Sequence, residues 1–361
     1  MERLSEKEWK AFPINAEFRM KKQGNVPTGA LVSNSILKDG MYPRIRVTSQ
    51  NNGINGFTNV SDDKNYRAYS NFISMSFLGD AFYHPYTASL DMKVHCLQYK
   101  DTELNPAMGL FTVTMAERIA FGTNYGNQLS SNDLAAKQIL LPVDDKGNPD
   151  YAYMAEYAQQ KRATMLDKYR KYIEARIVEL GELVEIPALN EKEWVEFPLN
   201  DIFTVGAGKR LETRNKIPGK RPFIGATDNG NGVTGFVGND NASKDSNVLG
   251  VNYNGAPCIA FYHPYECIFT DDVKRLHLRN YKNGKFVLLF FASLFAQQRS
   301  KYSYGYKFKE MRMLRQKLML PVDDSGEPDY AYMEQYSKNM MLRKYKQYLE
   351  FINRQNITEV D

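Results

Sequence analysis

The chain carries few of the residues that do chemistry. Among its 361 residues are three cysteines, four histidines and two tryptophans. Cys96, Cys258 and Cys267 make no C-x-x-C pair and no even framework. They are expected as plain buried thiols, and a structural zinc or a disulfide scaffold is excluded. No apolar run reaches the roughly 18 residues a membrane span needs. The longest, FVLLFFASLF at 286–295, fits a buried helix or strand. The opening MERLSEKEWK is polar and acidic, unlike a signal peptide, so a cytoplasmic chain is the default expectation. Gly206-Ala207-Gly208-Lys209 is no phosphate-binding loop, because Phe203 stands where Gly is required and Arg210 where Ser or Thr is. No FxGxG cofactor loop and no NPPY or DPPF motif is present. No cofactor and no metal is expected in this chain.

What is present is repetition. Residues 141–154 read LPVDDKGNPDYAYM, and residues 320–333, 179 positions on, read LPVDDSGEPDYAYM. They differ only at Lys146/Ser325 and Asn148/Glu327. The stretches before each copy are loosely alike, which makes the chain a tandem duplication with diverged text between kept punctuation. Its length also exceeds one ordinary core. The net charge of +5 is mildly basic and compatible with a nucleic-acid partner without requiring one. Tyrosine is abundant, at 24 residues, and suits interfaces and polar grooves.

EKEWKAFPIN at 6–15 answers EKEWVEFPLN at 191–200, so Trp9 and Trp194 each open a copy. Short strands are expected at 43–47, carrying Arg44 and Arg46, and at 221–224, opening with Arg221, and they precede SQNNGINGF (49–57) and TDNGNGVTGF (227–236). The Asn-Gly clusters predict turns with positive φ. Either they are simple hairpin turns, or Gln50, Asn51, Asn52, Asp228, Asn229 and Asn231 present amides and carboxylates to base edges. AFYHPY at 81–86 recurs at 260–265. A metal or catalytic reading of His84 and His263 is disfavoured, because no acidic or cysteine set repeats with them. A loop histidine that touches phosphate or packs, beside Tyr83, Tyr86, Tyr262 and Tyr265, is preferred. Tyr125 aligns with Tyr304, but Asn127 and Gln128 face Tyr306 and Lys307. One frame with different polar tips is what two readers of different sequences would have; ordinary loop drift would look the same.

The paired aspartates Asp144-Asp145 and Asp323-Asp324 raise a metal-dependent nuclease, but no Glu-x-Lys pattern repeats near them. Asp150 and Asp329 are placed as helix N-caps. Met154, Tyr157, Met165, Tyr169, Tyr172 and Ile173 recur at helical spacing, as do Met333, Tyr336, Met340, Tyr345, Tyr348 and Leu349. These are seams of partner helices, predicted to pair as an antiparallel coil. Gly181 marks an early stop. About 30 residues give a rod of roughly 45 Å. KYRKYIE (168–174) matches KYKQYLE (344–350) at an offset of 176 instead of 179, a three-residue slip that predicts imperfect two-fold symmetry.

Two diverged domains, each followed by a near-identical helix, resemble the specificity subunit of Type I restriction–modification systems; Type IIB specificity subunits look similar. The resemblance rests on the AFYHPY pair, the NNG/GNG-x-x-GF turns and the LPVDD-x-G-x-PDYAYM helix entries, and it spans the chain. It implies an α/β (α+β) fold with target-recognition domains at 1–150 and 186–329 and spacer helices at 151–185 and 330–361. It implies a chain without catalysis that reads a bipartite, asymmetric site in double-stranded DNA. It also implies DNA methyltransferase subunits as partners, a restriction or translocase subunit where the system has one, and S-adenosylmethionine only in the methyltransferase. Arg44, Arg46, Lys209, Arg210, Lys220 and Arg221 would supply phosphate contacts that set register. The alternatives are a same-fold decoy or inhibitor that binds the partners, a stand-alone metal-dependent nuclease supported only by the paired aspartates, and an RNA-binding module.

Overall fold

The computed structural model describes residues 3–33, 37–302 and 308–358, with side chains as far as Arg354. The chain divides into two compact units, Met1–Tyr169 and Arg170–Asp361.

In the first unit, β1 (Trp9–Pro13) leads through α1 (Ile14–Glu17) to β2 (Tyr42–Ile45), β3 (Ile54–Thr58), β4 (Ala68–Tyr69), β5 (Phe72–Ser76), β6 (Ala81–His84), β7 (Ala88–Leu90) and β8 (Val94–Leu97). Then come α2 (Pro106–Ile119), α3 (Ser131–Ala136), β9 (Gln138–Pro142) and the start of α4 (Tyr151–Leu180). Three small sheets result, ordered β1-β9, β3-β2-β7-β4 and β6-β5-β8. Helix α2 starts where Pro106 follows Asn105, whose Oδ1 accepts the Met108 amide at 2.9 Å. It packs on β6 and buries Met108, Phe111 and Met115.

The second unit repeats this plan. It runs β10 (Trp194–Pro198), α5 (Leu199–Ile202), β11 (Phe203–Ala207), β12 (Pro218–Ile224), β13 (Val233–Val237), β14 (Val248–Asn252), β15 (Ala260–His263), β16 (Ile268–Phe269) and β17 (Val273–Leu278). It continues with α6 (Lys285–Gln297), α7 (Glu310–Arg315), β18 (Lys317–Pro321) and α8 (Tyr330–Thr358). Its sheets are β10-β18, β13-β12-β16 and β11-β17-β14-β15. The apolar run at 286–295 is α6, whose Val287, Leu288, Phe290, Phe291 and Phe295 form much of the core. Among the described residues no helix is long and apolar enough to cross a membrane. All three cysteines are buried, and burial holds each thiol well above its ordinary pKa.

Each unit closes where it opens. Trp9 pairs with Pro142 across β1 and β9, and Trp194 with Pro321 across β10 and β18. The repeated segment then turns: Asp144 accepts backbone amides from Lys146 and Asn148, and Asp323 from Ser325 and Glu327. Gly147 and Gly326 both sit at φ +81, a left-handed position that favours glycine. Asp144 and Asp323 are therefore spent on holding a turn. Asp150 and Asp329 cap the long helices as expected, each accepting the amide three residues on at 2.9 Å. Their other carboxylate oxygens bind Lys7 and Lys192, both at 2.8 Å.

Helix α4 stops at Leu180, and Gly181 adopts φ +76. Within the second unit, the chain from Arg170 onward runs antiparallel to α8. Tyr345 hydrogen-bonds Tyr172 and Arg176, while Asn339, earlier in α8, meets Val184, later in the chain. Ile173, Leu342 and Ile352 are buried, and Met154 and Met333 anchor the helix starts in the two cores. Met340, Tyr345, Tyr348 and Leu349 are half-buried. The expected seam is wrong at Met165, which is 69% exposed, and is only marginal at Tyr169 and Tyr172. The three-residue slip changes which face continues, while both helices remain unbroken.

Candidate nucleic-acid interface

The same construction appears in each unit: a polar hairpin tip seated on the AFYHPY strand. β2 and β3 pair antiparallel up to Ile45 and Ile54, and β12 and β13 up to Ile224 and Val233. The tips between them hold Asn51 at φ +50 and Asn52 at +51 in one unit, and Gly230 at +57 and Asn231 at +54 in the other. Asn tolerates this region because its short polar side chain bonds locally. Gly53 and Gly232 follow, where a Cβ would stand 3.3 Å from the rings of Phe82 and Phe261 respectively. The tip is thus pressed onto the repeated motif, and Gln50, Asn51, Asn52, Asp228, Asn229 and Asn231 are left exposed. The hairpin reading and the presentation reading hold together: the turn itself exposes the amides.

Beneath the tip lies the invariant part. Tyr83 and Tyr262 donate to Asn71 and Asn247 Oδ1, both at 2.9 Å. Those asparagines stand at φ +49 and donate to the carbonyls of Leu104 and Asn283. Tyr83 and Tyr262 therefore brace the frame. His84 and His263 are fully buried at the ends of β6 and β15, so of the two expected roles they take the packing one, and from strands instead of a loop. Each shares a hydrogen bond through Nδ1 with a tyrosine hydroxyl, Tyr86 at 3.2 Å and Tyr265 at 3.4 Å. Desolvation lowers both imidazoles from 6.5 to about 4. Tyr86 and Tyr265 themselves lie at the surface, and Tyr265 accepts a bond from Asn231 Nδ2 at 3.0 Å. In the second unit, tip, exposed tyrosine and buried histidine thus form one chain of contacts.

The basic residues divide. Arg44 is 5% exposed and faces Asp91 at 3.1 Å, so it is withdrawn from any phosphate. Arg46 pairs with the other oxygen of Asp91 at 2.9 Å and stays partly exposed. Arg221 is tied to Glu266 and to the Asn239 carbonyl, so its fork is largely occupied. Lys209, Arg210 and Lys220 are exposed.

The loop carrying Tyr125, Asn127 and Gln128 is also exposed. Asn124 Oδ1 closes it by accepting the amides of Gly126 and Asn127, and Lys93 bonds Gln128 Oε1 at 3.0 Å. Its counterparts Tyr304, Tyr306 and Lys307 lie outside the described residues. The sequence reading missed Lys93 and Arg299; Arg299 pairs with Asp228 of the second tip at 3.5 Å. It also passed over Phe57 and Phe236, aligned residues that are 56% and 61% exposed beside the two tips. Both end the repeated GF pair, a signal that was available. Among the described residues no cluster of His, Cys, Asp or Glu could hold a metal ion.

The sequence matches the Type I restriction modification DNA specificity domain family twice, over residues 6–183 and 191–350. It is 38% identical over 291 residues to the Type II restriction enzyme BgcI specificity subunit S.BcgI of Heyndrickxia coagulans, covering 79% of this chain and 83% of that protein. Among solved structures it is similar to the Type-I restriction-modification system S subunit from M. genitalium, at 17% identity. That similarity covers 99% of this chain and 96% of that one, with a TM-score of 0.49.

Proposed function

This chain belongs to the Type I restriction modification DNA specificity family and directs DNA sequence recognition for a restriction–modification system, and we propose that its two units read the two halves of a bipartite, asymmetric duplex site. The observation that carries this reading is a shared tyrosine–histidine–asparagine frame beneath changed tips. Tyr83, His84 and Asn71 have counterparts in Tyr262, His263 and Asn247, making the same bonds. Above them, Gln50-Asn51-Asn52 is exchanged for Asn229-Gly230-Asn231. A shared frame cannot distinguish two half-sites, whereas exposed amides can, because Asn and Gln match the adenine edge in the major groove. Lys209, Arg210 and Lys220 would set register on phosphates. Recognition regions at 1–150 and 186–329 follow the repeat, with α4 and α8 as spacers.

The chain itself would be non-catalytic. Methyl transfer, with S-adenosylmethionine and extrusion of the target base, would belong to partner methyltransferase subunits. The test is to co-express the chain with the methyltransferase encoded beside it in a methylation-free host and to sequence the DNA for modified bases. A bipartite asymmetric motif that vanishes without this chain is expected. A motif unchanged by deleting the chain would overturn the reading.

A further inference from the structure

The two tips differ in how their last asparagine is held. The tyrosine beside each tip is placed alike. The His84 and Tyr86 ring centroids lie 5.6 Å apart at 63°, and those of His263 and Tyr265 lie 5.8 Å apart at 64°. Each hydroxyl is tied to a fully buried histidine, so each is a fixed point at the surface. Asn231 uses that point: its Nδ2 donates to the Tyr265 hydroxyl at 3.0 Å. Asn52 stands 179 residues earlier at nearly the same φ, +51 against +54, and does not. Its side chain makes no hydrogen bond with any described residue, and neither do those of Gln50 and Asn51. Asn52 and Asn231 are both exposed, so the difference bears on what each offers to a ligand.

An amide side chain has an acceptor at one end and donors at the other. Free to turn about its last torsion, it offers Oδ1 to an amino group or Nδ2 to a carbonyl from one backbone position. With Nδ2 bonded to Tyr265, the amide of Asn231 cannot turn over without breaking that bond. It presents Oδ1 and one remaining N–H in a single order. In the major groove, reversing a base pair exchanges amino and carbonyl groups: A·T shows the adenine N6 amino group where T·A shows the thymine O4 carbonyl. A held amide therefore rejects the reversed pair, whereas a free one can turn to suit it. Holding the side chain before binding also removes part of its ordering cost.

Resting on the reading that the tips contact base edges, we propose that Tyr265 is the positioning residue for Asn231 and that the base pair under Asn231 is read in one orientation only. The first unit has the tyrosine without the bond, so Tyr86 plays no such part for Asn52.

The test uses the full chain with its methyltransferase and duplexes carrying the methylated motif, each with one base pair reversed. The initial methylation rate on each, relative to the parent duplex, gives a reversal penalty at every position. Asn231→Gly keeps the left-handed φ. It should lower the penalty at one position of one half by about tenfold, which locates the pair Asn231 reads. Tyr265→Phe removes a single hydroxyl and should lower the penalty at that same position several-fold, leaving every other position as it was. The two changes together should do no more than Asn231→Gly alone, since the tyrosine acts through the asparagine. Tyr86→Phe should leave every penalty unchanged. Equal slowing of all duplexes by Tyr265→Phe would make the tyrosine merely structural and overturn the proposal. An unchanged penalty at the located position would overturn it while leaving the tip as the reader. A penalty in the other half lowered as much by Tyr86→Phe would show that the hydroxyl acts without the asparagine, and would overturn it too. If Asn231→Gly lowers no penalty while the motif is still methylated, the tip is not the reader, and the reading beneath the proposal falls with it.

Discussion

Ser74 and Gly250 hold the same place in the two units, opposite Phe82 and Phe261, yet only one can bond the histidine beneath. Ser74 Oγ lies 2.8 Å from His84 Nε2. Gly250 has no hydroxyl to offer, and His263 Nε2 is buried without a partner. Ser74→Ala should orphan the His84 nitrogen in turn and cost about 1–3 kcal/mol, read as a lower denaturant midpoint. An unchanged midpoint would mean that the site relaxes or admits water. Both histidines also link stability to pH. Their folded pKa is lowered to about 4 from 6.5, so the unfolded chain takes up protons first as pH falls. Their contribution is intact above about 6.5 and is lost from there down to about 4, by at most roughly 3 kcal/mol each. Urea midpoints across that window should fall with pH, and a His84→Gln, His263→Gln variant should show a shallower fall. The sequence could name these histidines but not bury them, since burial depends on strands that pair only after folding. Arg44 misled for the same reason: Asp91, which faces it in the interior, is remote in sequence.

At the scale of elements, the repeated segment was the most legible part of the chain. The turn aspartates, the caps at Asp150 and Asp329, the helix starts and the stop at Gly181 all follow from local hydrogen bonding and φ, which neighbouring residues decide. The seam was less legible. Periodicity placed Ile173 among the buried helix residues, but Met333 packs into the second unit's core instead of a helix seam and Met165 is exposed. β11, paired along β17, carried no signature in the sequence. If α4 and α8 act as the spacer, one added turn in each should move the half-sites. Four residues inserted near the exposed Lys171 and Gln347 lengthen each helix by about 5–6 Å. At about 3.4 Å per base pair, the preferred spacer should grow by one or two base pairs in the methylation readout. An unchanged spacer would show that these helices do not set it.

At the scale of the whole molecule, duplication separates what must stay from what can vary. The kept residues sit inside the units or at their junctions: the tyrosine–asparagine brackets, the buried histidines, the capped turns. The varied residues are the exposed tips and the loop at 121–128. The first unit's three sheets lie wholly within residues 1–145, closed by β1 against β9. The segment that follows is nearly the same in both copies, so a foreign first region can seat on an unchanged helix entry. Replacing residues 1–145 with those of another family member should therefore change one half of the methylated motif and leave the other half as it was. Retention of both halves would place recognition outside that region. Loss of both, in a chimera that still folds and still binds its methyltransferase, would mean that the two units do not read independently.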